Sequence, residues 1–222
     1  MKFTSPENIN FAVESNLNFP KKSYAYKQII REIVLFEDDF TNGAGKWYSG
    51  TVVDDARTET GKALKISGQY GHNLYVNQFI AQDRTSYRME IDVEVKYESG
   101  RYCYIYMGMQ SARPNSTASI ARPGGIIMFG YYSSHYNHGI FSIDNWARIA
   151  TIGSGYQKLV YEQVMIGPTT ARMNTYVNGM LIVSSTRYNI STGGLRPTFY
   201  KQGSYDHLRV GRVKVIQLPD EY

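Results

Sequence analysis

The sequence predicts an all-β sandwich preceded by an N-terminal arm. Three observations carry this expectation. Tyr87–Lys96 alternates strictly, with Met89, Ile91, Val93 and Val95 on one face and Glu90, Asp92 and Glu94 on the other; a period of two over that length is a half-buried strand. Short runs of the same kind recur along the chain, broken by glycine and polar turns, and none carries the 3.6-residue period of a major helix. Asn178-Gly179 between two such runs is the strongest short hairpin signal present, since both residues accept positive φ. Many short antiparallel strands of this kind assemble as a two-sheet sandwich or jelly roll.

Taken in order, residues 1–34 differ from the rest. Asn8–Val13 and Asn16–Pro20 alternate weakly, and Ser23 can cap a short helix from Tyr24 to about Glu32 with Ile29, Ile30 and Ile33 on one side. The segment is too apolar for a disordered tail and reads as an arm that packs on the domain or on another protein. Residues 35–222 form the sandwich domain. Its expected strands are Val34–Phe40, Ala63–Ser67, Asn73–Val76, Ser86–Tyr97, Arg101–Gln110, Gly125–Tyr132, Ile140–Ile143, Ala147–Ile152, Tyr156–Met165, Ala171–Val177, Met180–Ser185, Pro197–Lys201 and Tyr205–Gln217. Glu98-Ser99-Gly100 reads as a second hairpin turn, and Ser111–Gly124 and Ser133–Gly139 read as long loops.

Composition excludes several classes. With 222 residues the chain can bury a core without staples. The single cysteine, Cys103, rules out an internal disulfide and a cysteine metal cage. No apolar run reaches membrane-spanning length, and the stretch after Met1 lacks the apolar centre of a secretion signal, which predicts synthesis in a cytoplasm without export by that route. The net charge of +5 is uneven: Arg187, Arg196, Lys201, Arg209, Arg212 and Lys214 face only Asp206 in their stretch. That stretch is either a solvated face or a patch for an acidic partner, and no nucleic-acid motif of defined spacing accompanies it.

The chemistry-bearing candidates are few. Glu90, Asp92 and Glu94 on one strand face are either a carboxylate set for glycoside hydrolysis or a solvated face paired with Arg88 and Lys96 at the neighbouring positions. Glutamates four apart on a strand have Cα atoms about 13 Å apart; leaning together they approach the ~5–5.5 Å of a retaining mechanism. Tyrosine, with 20 copies, is the compositional outlier; it suits binding surfaces and strands alike. Tyr131, Tyr132 and Tyr136, with Trp146 and the loop histidines His135 and His138, compose a candidate platform for sugar rings. The two histidines lack a third ligand nearby and do not suggest zinc.

The order of features resembles the concanavalin A-like lectin and glucanase superfamily over roughly residues 34–217. The resemblance runs from Leu35-Phe-Glu-Asp-Asp-Phe40 with Trp47, through Arg88-Met-Glu-Ile-Asp-Val-Glu94, to the hairpin Arg172-Met-Asn-Thr-Tyr-Val-Asn-Gly-Met-Leu-Ile182 and the closing Tyr205–Val215. It implies a jelly roll whose concave sheet faces a glycan. Glu90-Ile-Asp-Val-Glu94 is similar to the Glu-x-Asp-x-Glu strand of family 16 glycoside hydrolases, which implies Glu90 as nucleophile, Glu94 as acid/base and Asp92 as the residue that tunes them. The resemblance also implies that the first and last strands are neighbours, where Asp38, Asp39 and Asp206 could hold a structural calcium; no other cofactor is expected.

The leading expectation is a non-enzymatic, lectin-like module of a larger assembly: a bacteriophage virion protein that decorates a capsid, fibre or tail and recognises a glycan, oligomeric and docked to its neighbours through residues 1–34. The alternatives are an endo-glycosidase using Glu90 and Glu94, and a purely structural capsid or scaffold component.

Overall fold

In the computed structural model the described residues are 32–66, 72–96, 103–110, 127–132, 135–141, 148–151, 155–190, 192–202 and 207–222. Residues 1–31, most of the arm and of its expected helix from Tyr24 to about Glu32, therefore lie outside the described residues, as does the loop 111–124, whereas Ile33 and Val34 at the arm's end belong to the first strand.

Sixteen strands follow one another, with no helix among the described residues. They are β1 (Ile33–Asp38), β2 (Trp47–Tyr48), β3 (Thr51–Asp54), β4 (Lys62–Ile66), β5 (His72–Val76), β6 (Ala81–Gln82), β7 (Tyr87–Lys96) and β8 (Cys103–Gln110). The second half holds β9 (Ile127–Tyr132), β10 (His135–Phe141), β11 (Arg148–Thr151), β12 (Gln157–Gly167), β13 (Thr170–Val177), β14 (Met180–Arg187), β15 (Gly194–Gln202) and β16 (His207–Gln217). Sheet A runs β14-β13-β12-β7-β16-β4-β3, with β1 also on β16. Sheet B runs β11-β10-β9-β8-β15-β5-β2, with β6 also on β15. All pairings are antiparallel, and the first and last strands are neighbours, as the resemblance implies.

The core lies between the sheets. Met89, Ile91 and Val93 of β7, Leu159 and Tyr161 of β12, and Val213 and Val215 of β16 belong to one buried cluster with Leu74 of β5, Met107 of β8 and Phe199 of β15. Alternation decides which residues enter it, because successive side chains of a strand point to opposite faces. β16 shows what happens when the count slips. Leu208 and Val210 point inward, and so do Val213 and Val215; these sets have opposite parity. Gly211 is the extra residue that reconciles them, since the register with β7 shifts between Val210 and Arg212. Without this bulge one half of β16 would present its valines to solvent. The position also suits only a glycine: a Cβ there would come within 2.9 Å of Thr58 Cγ2 and 3.4 Å of the Tyr156 ring.

The Asn178-Gly179 hairpin forms as the sequence predicts, with φ of 48° and 83°; Asn178 Oδ1 also accepts the Lys158 N–H at 2.9 Å, tying the turn to β12. Two expectations need correction. Glu98-Ser99-Gly100 lies outside the described residues, but the strands flanking it do not form a hairpin, because β7 belongs to sheet A and β8 to sheet B; two alternating strands separated by a turn signal look the same whether they pair or face each other. Ser133–Gly139 is not one long loop, since β10 begins at His135 and pairs with β9 at Tyr132. Its polar, aromatic composition hides a strand because strand preference reflects fit to a pleated surface more than apolarity.

Gly211→Val is expected to lower stability by about 2 kcal/mol through overpacking against Thr58. Urea unfolding followed by circular dichroism measures this.

Candidate functional site

The acids of β7 all lie on the face of sheet A turned away from the core, beside charged residues of both neighbouring strands. On β12, Lys158 stands opposite Asp92 and Glu162 opposite Arg88. On β16, Arg209 stands opposite Glu94, Arg212 opposite Asp92 and Lys214 opposite Glu90. Cross-strand neighbours of opposite charge attract, and four of the six bases of the C-terminal stretch singled out in the sequence pair with acids. Arg209 pairs with Asp55, Arg212 with Glu37 and Glu59, Lys214 with Glu32 and Arg187 with Asp83.

The centre of this face is a clasp. The turn between β3 and β4 begins at Asp55, whose N–H donates to the Gly61 carbonyl, and Thr58 Oγ1 donates to the Asp55 and Lys62 carbonyls. Gly61 closes the turn at φ 72°, a conformation that favours glycine. The turn carries Arg57 onto the sheet. Its guanidinium donates twice to Asp55, at 2.8 and 2.7 Å, and twice to Glu94, at 2.6 and 2.8 Å. Two-pronged pairs of this kind are the strongest ionic hydrogen bonds proteins make. Asp55 also accepts from Arg209 and, at 3.1 Å, from the Tyr156 hydroxyl. The side chains of Asp55 and Glu94 are each only 3% exposed.

The electrostatics follow from these contacts. Hydrogen bonds from Arg57, then Arg209 and Tyr156, hold the Asp55 carboxyl far below its ordinary value despite burial. Asp55 and Glu94 in turn raise the Arg57 guanidinium, and burial together with Asp55 raises the Tyr156 phenol. Glu90 lies apart from this cluster, paired with Arg88 at 3.1 Å and Lys158 at 3.0 Å. Burial pushes its carboxyl up, but Lys158, Arg88 and Lys214 outweigh that and leave it below the ordinary range. Asp92 goes the other way. Burial raises it, assisted by Glu90 and Glu59, against Lys158 and Arg212. Asp92 lines a pocket of about 90 Å³ with Arg57, Thr58, Tyr156 and Arg212.

The three acids of the sequence motif therefore sit in three different settings. Glu94 is clasped and buried, Glu90 is paired on the open face, and Asp92 borders a small pocket with its proton affinity raised. The residues that decide this arrangement, Asp55 and Arg57, carried no motif; the only signal was an Asp-x-Arg turn between two short strands.

Asp38 and Asp39 both organise the turn after β1. Asp38 accepts from the Phe40 N–H at 3.1 Å and from Trp47 Nε1 at 2.8 Å, with Lys46 at 3.7 Å. Asp39 accepts from the backbone and hydroxyl of Thr41, which lower its carboxyl. Asp206 lies outside the described residues, and no cluster of three His, Cys, Asp or Glu placed to hold a metal occurs among the described residues. Tyr131, Tyr132, His135, Tyr136 and His138 fall on β9 and β10 of sheet B, the layer opposite the acids; their side chains and the whole of Trp146 lie outside the described set.

No protein-family model matches the sequence, and no curated protein matches it. Solved structures do. The carbohydrate recognition domain of Emp47p aligns with a TM-score of 0.59 at 9% identity, over 84% of this chain and 96% of that one. A carbohydrate esterase from the Shiga toxin-encoding bacteriophage phi24B aligns with a TM-score of 0.57 at 13% identity, over 85% and 100%. A family 16 endo-glucanase from Bacteroides ovatus aligns with a TM-score of 0.52 at 10% identity, over 82% and 99%. The chain has the concanavalin A-like jelly-roll fold. At these identities the likeness concerns the fold alone, which lectins and glycosidases share.

Asp55→Asn is expected to cost about 2 kcal/mol by leaving Arg57 and Arg209 without their shared acid. The sign of the pH effect follows from the lowered carboxyl: the stabilisation is complete above the ordinary aspartate value of 3.8 and is lost as pH falls below it. Asp92→Asn is expected to act oppositely. A raised carboxyl penalises folding once it ionises, so the variant should melt higher than the parent at pH 7 and equally at pH 3. Calorimetric melting at the two pH values measures both effects.

Proposed function

We propose that the chain is a non-enzymatic, lectin-like recognition module that binds glycans as part of a larger assembly. The observation that carries this reading is the Arg57 clasp. A nucleophile and an acid/base must face a common sugar, with one carboxyl able to give up and regain its proton. Glu94 is instead buried under a doubly hydrogen-bonded guanidinium, and Glu90 is held ionised by different cations. The acidic strand then serves the stability of sheet A. A carbohydrate recognition domain with the same fold supports glycan recognition as the role of the sandwich.

The assembly is a phage virion in this proposal, with the module on a capsid, fibre or tail, made in the host cytoplasm. Residues 1–34 support it, because their composition departs from that of the body and suits docking to neighbouring proteins. On the sequence reading, Tyr131, Tyr132, Tyr136 and Trp146 are candidate sugar contacts.

Two readings compete. The Glu90-x-Asp92-x-Glu94 pattern and the raised Asp92 carboxyl favour an endo-glycosidase; a purely structural role needs no ligand at all. Incubating the full chain with β-glucan and galactan oligosaccharides, on an array and in a reducing-end assay, separates the three. The proposal expects retention on the array with no new reducing ends. Hydrolysis abolished by Glu90→Gln would establish the enzyme, and neither retention nor hydrolysis would leave the structural role.

A further inference from the structure

Sheet A ends at β14. Among the described residues this strand has one neighbour, β13, and no strand lies on its other side. An edge strand presents a row of unpaired N–H and C=O groups, and proteins blunt such edges with short strands, charges or proline. The other sheet ends are blunted in this way. β3 has four residues and closes on the exposed Asp54, paired with Lys62 at 2.6 Å. β2 has two residues, and β11 has four, the first an arginine. β1, beside β16 alone, closes on Glu37 and Asp38. β14 has eight residues, and from Met180 to Thr186 they include neither a charge nor a proline. Arg187 ends the strand but turns inward, 3.0 Å from Asp83.

The register divides the side chains of β14. Val183, Ser185 and Arg187 stand opposite Thr175, Met173 and Ala171. Those three are buried, so their partners point to the core and Ser184 and Thr186 point to solvent. The register shift leaves Ile182 without a partner on β13, and it packs against the core. What remains open is apolar at both ends of the strand. Met180 is 67% and Leu181 51% exposed at its start, and Tyr188 is 68% exposed just past its end. Ser184 and Thr186 between them are small, exposed and uncharged. An exposed apolar edge without charge is a surface built for a partner.

We propose that β14 pairs antiparallel with β14 of a second copy of this chain about a two-fold axis, joining two A sheets into one. An axis near the middle of the strand sets the Met180–Leu181 end of each copy beside the Tyr188 end of the other. Both apolar ends are then covered at once, thioether and aliphatic groups against an aromatic ring. The edge is complementary to itself, which is what an isologous dimer requires. No charge meets its own copy, because the uncharged residues around Ser184 lie at the axis and each Arg187 is paired within its own chain. A foreign strand would satisfy the backbone alone; a second copy matches both ends by symmetry. The dimer stands independently of glycan recognition, and it would double the valency of any ligand site on the sandwich.

Sedimentation velocity of the full chain across the micromolar range tests this, with melting temperatures taken in parallel. The parent should dimerise. Leu181→Lys, Ser184→Lys and Ser184→Glu should each weaken the dimer by about ten-fold or more, since like charges then meet near the axis, while melting near the parent. Mixing equal amounts of the Ser184→Lys and Ser184→Glu chains should restore a dimer. A parent that stays monomeric, a dimer that none of the three variants weakens, or no restoration on mixing would overturn the proposal. Should a variant fail to fold, amide hydrogen exchange on the parent decides. Exchange along Val183–Thr186 that slows as chain concentration rises supports the pairing, and exchange indifferent to concentration overturns it.

Discussion

Arg57 is the residue on which the outer face of sheet A depends. It joins an aspartate at the start of its own turn to a glutamate 37 positions further along, and in doing so closes the β3–β4 turn over the end of β7. Two carboxylates and a second arginine converge there, largely out of solvent. Each charge alone would be costly to bury; together, with geometry this close, they satisfy one another. Gly211 belongs to the same device, because the turn approaches β16 so closely that any side chain there would strike Thr58. One glycine thus restores the inward parity of β16 and makes room for the clasp.

The outer faces of the two sheets differ. On sheet A the alternating acids of β7 meet basic residues of β12 and β16 in a checkerboard. On sheet B the Tyr48 and Tyr75 rings stack, and Arg196 lies over Tyr75 and Phe79. Charge that is paired in place stabilises.

Some of this could be read in the sequence. The alternation of Tyr87–Lys96, the hairpin at Asn178-Gly179 and the neighbouring first and last strands all follow from local patterns and a family-like order of features. The parity change at Gly211 was also present in Leu208-Arg-Val-Gly-Arg-Val-Lys-Val215. What stayed hidden depends on non-local pairing. Nothing local says that β7 and β8 lie in different sheets, or that Asp55 meets Arg209 from 154 positions away. Tyr48 and Phe79 escaped notice because β2 has two residues and Phe79 none of the period that marks a strand; only the register of β2, β5 and β15 brings them onto one face.

The most direct measure of the account is a double-mutant cycle on Arg57→Ala and Glu94→Gln, read by urea unfolding. A clasp that organises the face predicts a coupling energy of about 2 kcal/mol between the two positions. Additive effects would contradict it and would return Glu94 to the pool of acids available for chemistry.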